Sequence, residues 1–433
     1  MTTQPVGPRR GVPTLAVGIV ALEFATAVSR FVASTLLPVI SPDLEAEDQL
    51  ALLVAGTSLG LFVALPLSSS VLRILGTQRT LGIGVAGYVG GLLAAAIATD
   101  AVIFGLSQFI SGLAGGILAV FGISAAIRHL EDSVRAKVVA ASAAMWILPA
   151  LVGPVATLGL EHLIGWRWTL LVPAPAVLIG RFLVVRAIRG DSRSESVRRH
   201  PRRSLLIPLG AAMIIFAGPV WPVAAAGLVT ALLGVTAVMP PGTMTLHRGS
   251  PSALAAMMLF GAGYFGADSL ITLLLTDEFS ADLSQSAVVL SAAPVAWGLT
   301  SAVSTQFSVR SFERRLPFAG MLLAAVGISA LAEASWVMAV AAWGAAGVGV
   351  GLAYPRLYVA ASTARGSSLS SSELAVAVIT AEVFGGLIGQ SVGGAVGSSA
   401  GFGGLTAAFA VFAVCLFAAA VAATRRDDSA APR

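Results

Sequence analysis

The chain has 433 residues, of which 57% are hydrophobic and 11% charged; its net charge is +5, its pI is near 10.1 and its mean hydropathy is +0.90. A soluble domain carries about 25% charged residues, so this composition excludes a soluble protein and describes an integral membrane one. The basic residues lie in short loops between apolar runs, which excludes nucleic acid as a partner; the single cysteine, Cys415, excludes a disulfide framework, and no ligand spacing suits a metal.

Runs near 20 apolar residues, the length that crosses a bilayer, begin close to the N-terminus. Residues 13–40 form span one, closed by Ser41-Pro42 and an acidic loop of Asp43, Glu45, Glu47 and Asp48. Span two is 49–72, followed by a basic loop from Arg73 to Arg79; span three is 81–99 and span four 101–127. The segment from Arg128 to Lys137 is again basic; span five is 138–163 and span six 168–185. The longest polar run then follows, RAIRGDSRSESVRRHPRR at 186–203, with arginines at 186, 189, 193, 198, 199, 202 and 203. Seven like charges do not enter hydrocarbon, at roughly 2.5–3.5 kcal/mol each, and positive loops stay on the cytoplasmic side.

Two shorter runs, 204–218 and 221–239, read as a tight hairpin of spans seven and eight. Six more spans follow at 252–276, 285–307, 317–331, 336–359, 373–396 and 402–424. The expected fold is therefore all-α and integral to the membrane, with fourteen spans counted as six, two and six. The expected division is 1–185 for an N-terminal six-helix bundle, 186–203 for a cytoplasmic basic loop, 204–251 for the central hairpin and its loop, 252–424 for a C-terminal six-helix bundle and 425–433 for a cytoplasmic tail. With both termini inside, nearly all basic residues fall on the cytoplasmic side and two outer loops are acidic, which places the protein as a multi-pass component of the inner (plasma) membrane.

Charges inside spans are costly and usually have a partner or a task. Span one holds Glu23 and Arg30, seven residues apart and so on one helix face; span nine holds Asp268 and span thirteen Glu382. Arg30 and Asp268 lie at similar depth in corresponding spans and are expected to approach each other, directly or through substrate. Glu23 and Glu382 also match in depth. A carboxyl group withdrawn from water can exchange a proton near neutral pH, so Glu382, then Glu23, is the expected coupling group, with Asp268 a third candidate. Arg30, Asp268, Gln108, Trp146 and Tyr264 are the candidate cavity residues; Tyr264 and Phe265 either stack on a substrate or fill the core. Gly385, Gly389 and Gly393 recur every fourth residue along span thirteen and make a smooth face that lets a neighbouring helix approach closely, either as static packing or as a sliding surface.

Span five and its loop read MWILPALVGPVATLGLEHLIGWRWTLLVPAP. Gly153-Pro154 with Gly159 resembles the antiporter motif of drug-exporting major facilitator proteins, and Trp166-Arg167-Trp168 followed by Pro173 is similar to their junction of spans five and six. GAAGVGVGLAYPRL, from Gly344 to Leu357, also looks like this group, and the span count resembles its 14-spanning drug:proton antiporter branch. The resemblance implies the major facilitator fold, with the span two–three loop (Gly76, Arg79) and the span-five motif taking part in gating and helix packing. Three positions depart from the pattern. Where an aspartate and an arginine are usual before Gly76, this chain has Arg73 and Ile74. Where span four usually carries an arginine four residues before Gly112, it has Gln108.

The resemblance implies a secondary transporter rather than an enzyme, with no cofactor: ion-gradient-driven efflux of small lipophilic or amphipathic compounds by alternating access. Its partners would be the substrate, protons or another coupling ion, and the lipid bilayer. The alternatives are a dedicated metabolite or lipid exporter or scaffold with degraded proton coupling, and a membrane-embedded protein without transport activity.

Overall fold

The computed structural model describes residues 12–46, 50–145, 147–187, 202–217, 220–275, 279–281, 283–304, 310–331, 335–363, 371–397 and 401–425. Among them there is no strand, and the chain runs through α1 (Val12–Asp43), α2 (Leu50–Ala96), α3 (Ala101–His129), α4 (Asp132–Ala144), α5 (Ile147–Thr169), α6 (Ala174–Ala187), α7 (Leu206–Phe216), α8 (Trp221–Val238), α9 (Ser250–Leu273), α10 (Leu283–Ser304), α11 (Arg310–Leu331), α12 (Trp336–Ala361), α13 (Ser371–Gly397) and α14 (Gly401–Ala423). Most of the arginine-rich run, with Trp146, Gln306 and the side chain of Arg30, lies outside the described residues.

Close backbone approach organises the helices. A β-carbon added to Gly112 of α3 would fall on the Thr57 carbonyl of α2, and one on Gly180 of α6 would press on Leu22 of α1. The later helices repeat the arrangement. Gly320 of α11 meets the Gly349 carbonyl of α12, Gly263 of α9 meets the Phe412 carbonyl of α14, and Gly385 of α13 meets the Met258 carbonyl of α9. Thus α1 packs on α5 and α6, while α9 packs on α13 and α14. Small residues at helix contacts are the membrane solution, since packing rather than water exclusion drives association there. Large apolar side chains point outward, Phe182 60% and Trp221 75% exposed; on a membrane protein this is the surface that meets lipid.

The structure modifies the expected spans. The loop from Arg73 to Arg79 is helical on both sides of Gly76, whose φ of 71° and ψ of 169° interrupt a single long helical run. Gly165 does the same near the end of α5, at φ 78° and ψ 158°. This backbone region is essentially restricted to glycine. Over span five the described helices are α4, ending at Ala144, and α5, beginning at Ile147.

An all-helical fold is present, while the full count of fourteen spans is not fixed by helix length and composition. Seven helices among the described residues are long and apolar enough to cross a membrane, or eight if Ala156–Thr169 and Ala174–Ala187, bent by 63°, form one span. Shorter apolar helical stretches among the described residues include Gly56–Ser68, within α2, and Arg203–Phe216.

Candidate functional site around Glu382

Two glycine seams bring the site together. Along α12, Gly347 and Gly351 let the helix settle on the backbone of α10, where an added β-carbon would meet Ala293 and the Trp297 carbonyl. One turn beyond Gly351, Tyr354 then meets Trp297 edge-on, with ring centroids 5.2 Å apart. Along α9, a β-carbon on Gly261 would lie 2.5 Å from the Glu382 carbonyl oxygen of α13. This seam fixes the backbone that carries Glu382. From these two scaffolds the Tyr354 hydroxyl donates a hydrogen bond of 2.9 Å to Glu382 Oε2.

A second carboxylate comes from the other end of the sequence. Glu23 of α1 lies within electrostatic reach of Glu382, and both act on Tyr354 and Tyr358. One acid from an early helix and one from a late helix therefore face the same pair of tyrosines. Arg135 of α4 reaches Tyr358 as well.

An aromatic wall flanks this polar centre. Tyr264 stacks on Trp343 at 4.9 Å and on Phe260 at 5.6 Å, and meets Trp297 edge-on at 5.5 Å. Phe265 and Tyr354 close around Phe260, each at 5.6 Å. The indole N–H groups of Trp297 and Trp343 are buried with no hydrogen-bond acceptor among the described residues. A buried, unmet donor is costly, and a donor on an aromatic plane next to carboxylates can hold a flat ligand that carries an acceptor. Asp268 stands one turn beyond Tyr264, close enough to act on it, with its side chain exposed.

The structure thus brings together Glu23, Glu382 and Tyr264, with Asp268 at the margin. Gln108 lies instead in the α2–α3 seam: it is buried, and its β-carbon would be 3.0 Å from one added at Gly56. Gly385 and Gly389 are close-contact glycines against the Met258 and Ala262 carbonyls. Gly159 is not: a β-carbon there would meet nothing within 4 Å. Gly76 is likewise open, and its need for glycine comes from its backbone angles. Arg79 is exposed, Gly153 is half-buried and the side chain of Pro154 lies outside the described residues.

Trp297, Trp343, Tyr354, Tyr358 and Arg135 escaped the sequence reading. A signal was available: the chain has only four tyrosines, and Tyr264, Tyr354 and Tyr358 all gather here.

At the opposite end of the early helices, Asp43 Oδ2 accepts from the Trp166 indole at 3.1 Å and pairs with Arg167 at 3.2 Å. Arg167 also donates to the Ala98 carbonyl at 3.2 Å and lies 4.2 Å above the Trp166 ring. This clamp ties three connections of the first half into one unit.

Helices paired twice in the same pattern, an apolar outer surface and a central meeting of opposed carboxylates define a multi-pass membrane transporter rather than an enzyme. The chain belongs to the Major Facilitator Superfamily, whose family model matches residues 19–267. It is 28% identical to a probable multidrug-efflux transporter of Mycobacterium tuberculosis (strain ATCC 25618 / H37Rv) over 457 residues, covering 93% of this chain and 92% of that protein. It is 22% identical to a multidrug efflux pump of Staphylococcus aureus (strain N315), over 39% of this chain and 38% of the pump. In fold it is similar to the human organic anion transporter MFSD10, with a TM-score of 0.69, 13% identity and coverage of 97% and 100% of the two chains. It is also similar to the E. coli fucose:proton symporter, with a TM-score of 0.65, 14% identity and coverage of 96% and 98%.

Proposed function

We propose that the protein is a secondary active exporter of small lipophilic or amphipathic compounds, driven by an ion gradient and working by alternating access. In this reading residues 1–185 and 252–424 are two six-helix halves, 204–251 is a central hairpin completing fourteen spans, and 186–203 and 425–433 are cytoplasmic. The protein sits in the inner (plasma) membrane with both termini inside. The observation that carries the reading is the meeting of Glu23 on α1 and Glu382 on α13 beside Tyr354. Two like charges brought within electrostatic reach at a half-buried site are held at low cost only with a compensating proton or cation. Because each acid belongs to a different half, whatever compensates them bears on how the halves meet. The aromatic wall from Phe260 to Trp343 supplies an apolar surface with polar edges for the rest of the substrate, as small-molecule sites do. The mycobacterial relative's description as a probable multidrug-efflux transporter supports the direction and the substrate class.

The test is transport in proteoliposomes with an imposed pH gradient and a lipophilic cation as substrate. Wild type is expected to move the cation against its gradient, and Glu382→Gln is expected to abolish that movement. Tyr354→Phe, which removes only the donor to Glu382, is expected to slow it roughly tenfold, the loss of one hydrogen bond to a charged group. Wild-type flux indifferent to the pH gradient would refute proton coupling. Equal uphill flux in Glu382→Gln would remove this acid from the mechanism.

A further inference from the structure

We propose that Arg135 is the latch that holds the two halves together at the end of the molecule carrying the α3–α4 and α12–α13 connections. The inference rests on the alternating-access reading, and it names a contact that must break when that end opens.

Arg135 lies in the first turn of α4, just before the stretch read as span five. Helix α4 packs on α10 and α12 of the second half, whereas α5 packs mainly on α1. An arginine in a membrane-edge segment would ordinarily extend its head to water; this one is 3% exposed. Its Nη2 donates towards the Val359 carbonyl at 3.5 Å and the Thr363 hydroxyl at 3.3 Å. Both acceptors sit at the C-terminal end of α12, which closes at Ala361 with Ser362 as cap. The last carbonyls of a helix lack partners within it and carry the negative end of its dipole, so a guanidinium is well placed there.

The receiving knot is itself held by the second half. The Thr363 hydroxyl donates to the Val359 carbonyl at 2.6 Å, and the Thr363 carbonyl accepts from the Ser250 hydroxyl, at the start of α9, at 3.4 Å. Arg135 therefore holds the end of α12, which is in turn tied to the start of α9 through Ser250. Tyr358, next to Val359, lies within electrostatic reach of Arg135, Glu23 and Glu382 alike. Latch and carboxylates thus share a neighbour, which makes Arg135 a positioning residue for the transport site.

The test uses the full chain in lipid nanodiscs, with spin labels at Lys137→Cys and Arg315→Cys in a Cys415→Ala background. Both label positions are exposed and flank the latch from the two halves. The inter-label distance distribution is read by pulsed electron resonance. Arg135→Ala is expected to move the dominant population to longer distance, changing the closed-to-open ratio roughly tenfold, as befits long hydrogen bonds from a charged donor. Arg135→Lys is expected to restore much of the closed population, because an ammonium still binds the end of α12. Thr363→Val, which keeps the side-chain shape, is expected to shift it partway. An unchanged distribution in well-folded Arg135→Ala overturns the proposal. If Arg135→Ala does not fold, an unchanged Thr363→Val overturns it instead. Transport of the lipophilic cation in the same preparations separates the two ideas. A shift without wild-type export refutes the export reading and leaves the latch; export with no shift refutes the latch alone.

Discussion

Replacing single glycines by alanine probes the packing directly, because the sequence offers chemically identical sites in different surroundings. In Gly385→Ala the new methyl lands on the Met258 backbone oxygen, and α9 cannot swing aside as a flexible side chain would. Overpacking of this kind costs about 1–3 kcal/mol, offset by about 0.5–1 kcal/mol because alanine suits a helix interior better than glycine. The net expectation is roughly 1–2 kcal/mol of destabilisation. In Gly159→Ala the methyl meets nothing, so only the favourable term remains, about 0.5–1 kcal/mol of stabilisation. The two variants should therefore move in opposite directions from wild type when the apparent melting temperature is followed by tryptophan fluorescence in detergent. Gly385→Ala should also impair transport, since α9 and α13 carry Tyr264 and Glu382. If Gly385→Ala melts with or above Gly159→Ala, the α9–α13 seam is not the close contact described, and the positioning of Glu382 by Gly261 falls with it.

Further expectations follow from other positions. Gly76→Ala has open space around it but must adopt φ 71° and ψ 169°; about 1–3 kcal/mol of destabilisation is expected from the backbone alone, and an unchanged melting temperature would contradict the bend. Arg167→Gln removes an ion pair whose side chains are 40% and 49% exposed, so its loss should cost no more than about 1 kcal/mol. Trp166→Ala, which empties a site in the buried cluster around Phe104 and Leu170, should cost about 3–5 kcal/mol. Melting curves that reverse this order would place the strength of the clamp in its charges rather than its packing.

Several of these features were legible in the residues alone. Apolar runs gave most helices to within a turn, since hydrocarbon length and helix rise leave little choice. The costly in-span carboxylates were equally conspicuous. What could not be read was which residues meet. Gly159 and Gly385 look alike in sequence, yet only one faces a backbone. Tyr354 and Glu382 lie 28 residues apart on different helices, and nothing local in either segment encodes their hydrogen bond. Arg135 looked like one more basic residue in a polar connection. Its burial depends on α4 continuing the helix across that connection and resting against α12, a tertiary contact with no periodic signature. Gln108 was conspicuous as a polar residue within a span, but its position against Gly56 of α2 has no local signature.

The hairpin of α7 and α8 carries a mechanical consequence. Its two helices approach backbone to backbone, Gly210 against the Gly227 carbonyl and Gly227 against that of Gly210, with Ala231 and Met213 beside them. One side of it rests on α2 and the other on α13. The hairpin therefore bridges an early helix and a late one. Any change in the spacing of α2 and α13 must shear this backbone-to-backbone joint. Lengthening the flanking loops would leave that restraint intact, whereas a bulky residue at Gly227 would loosen it.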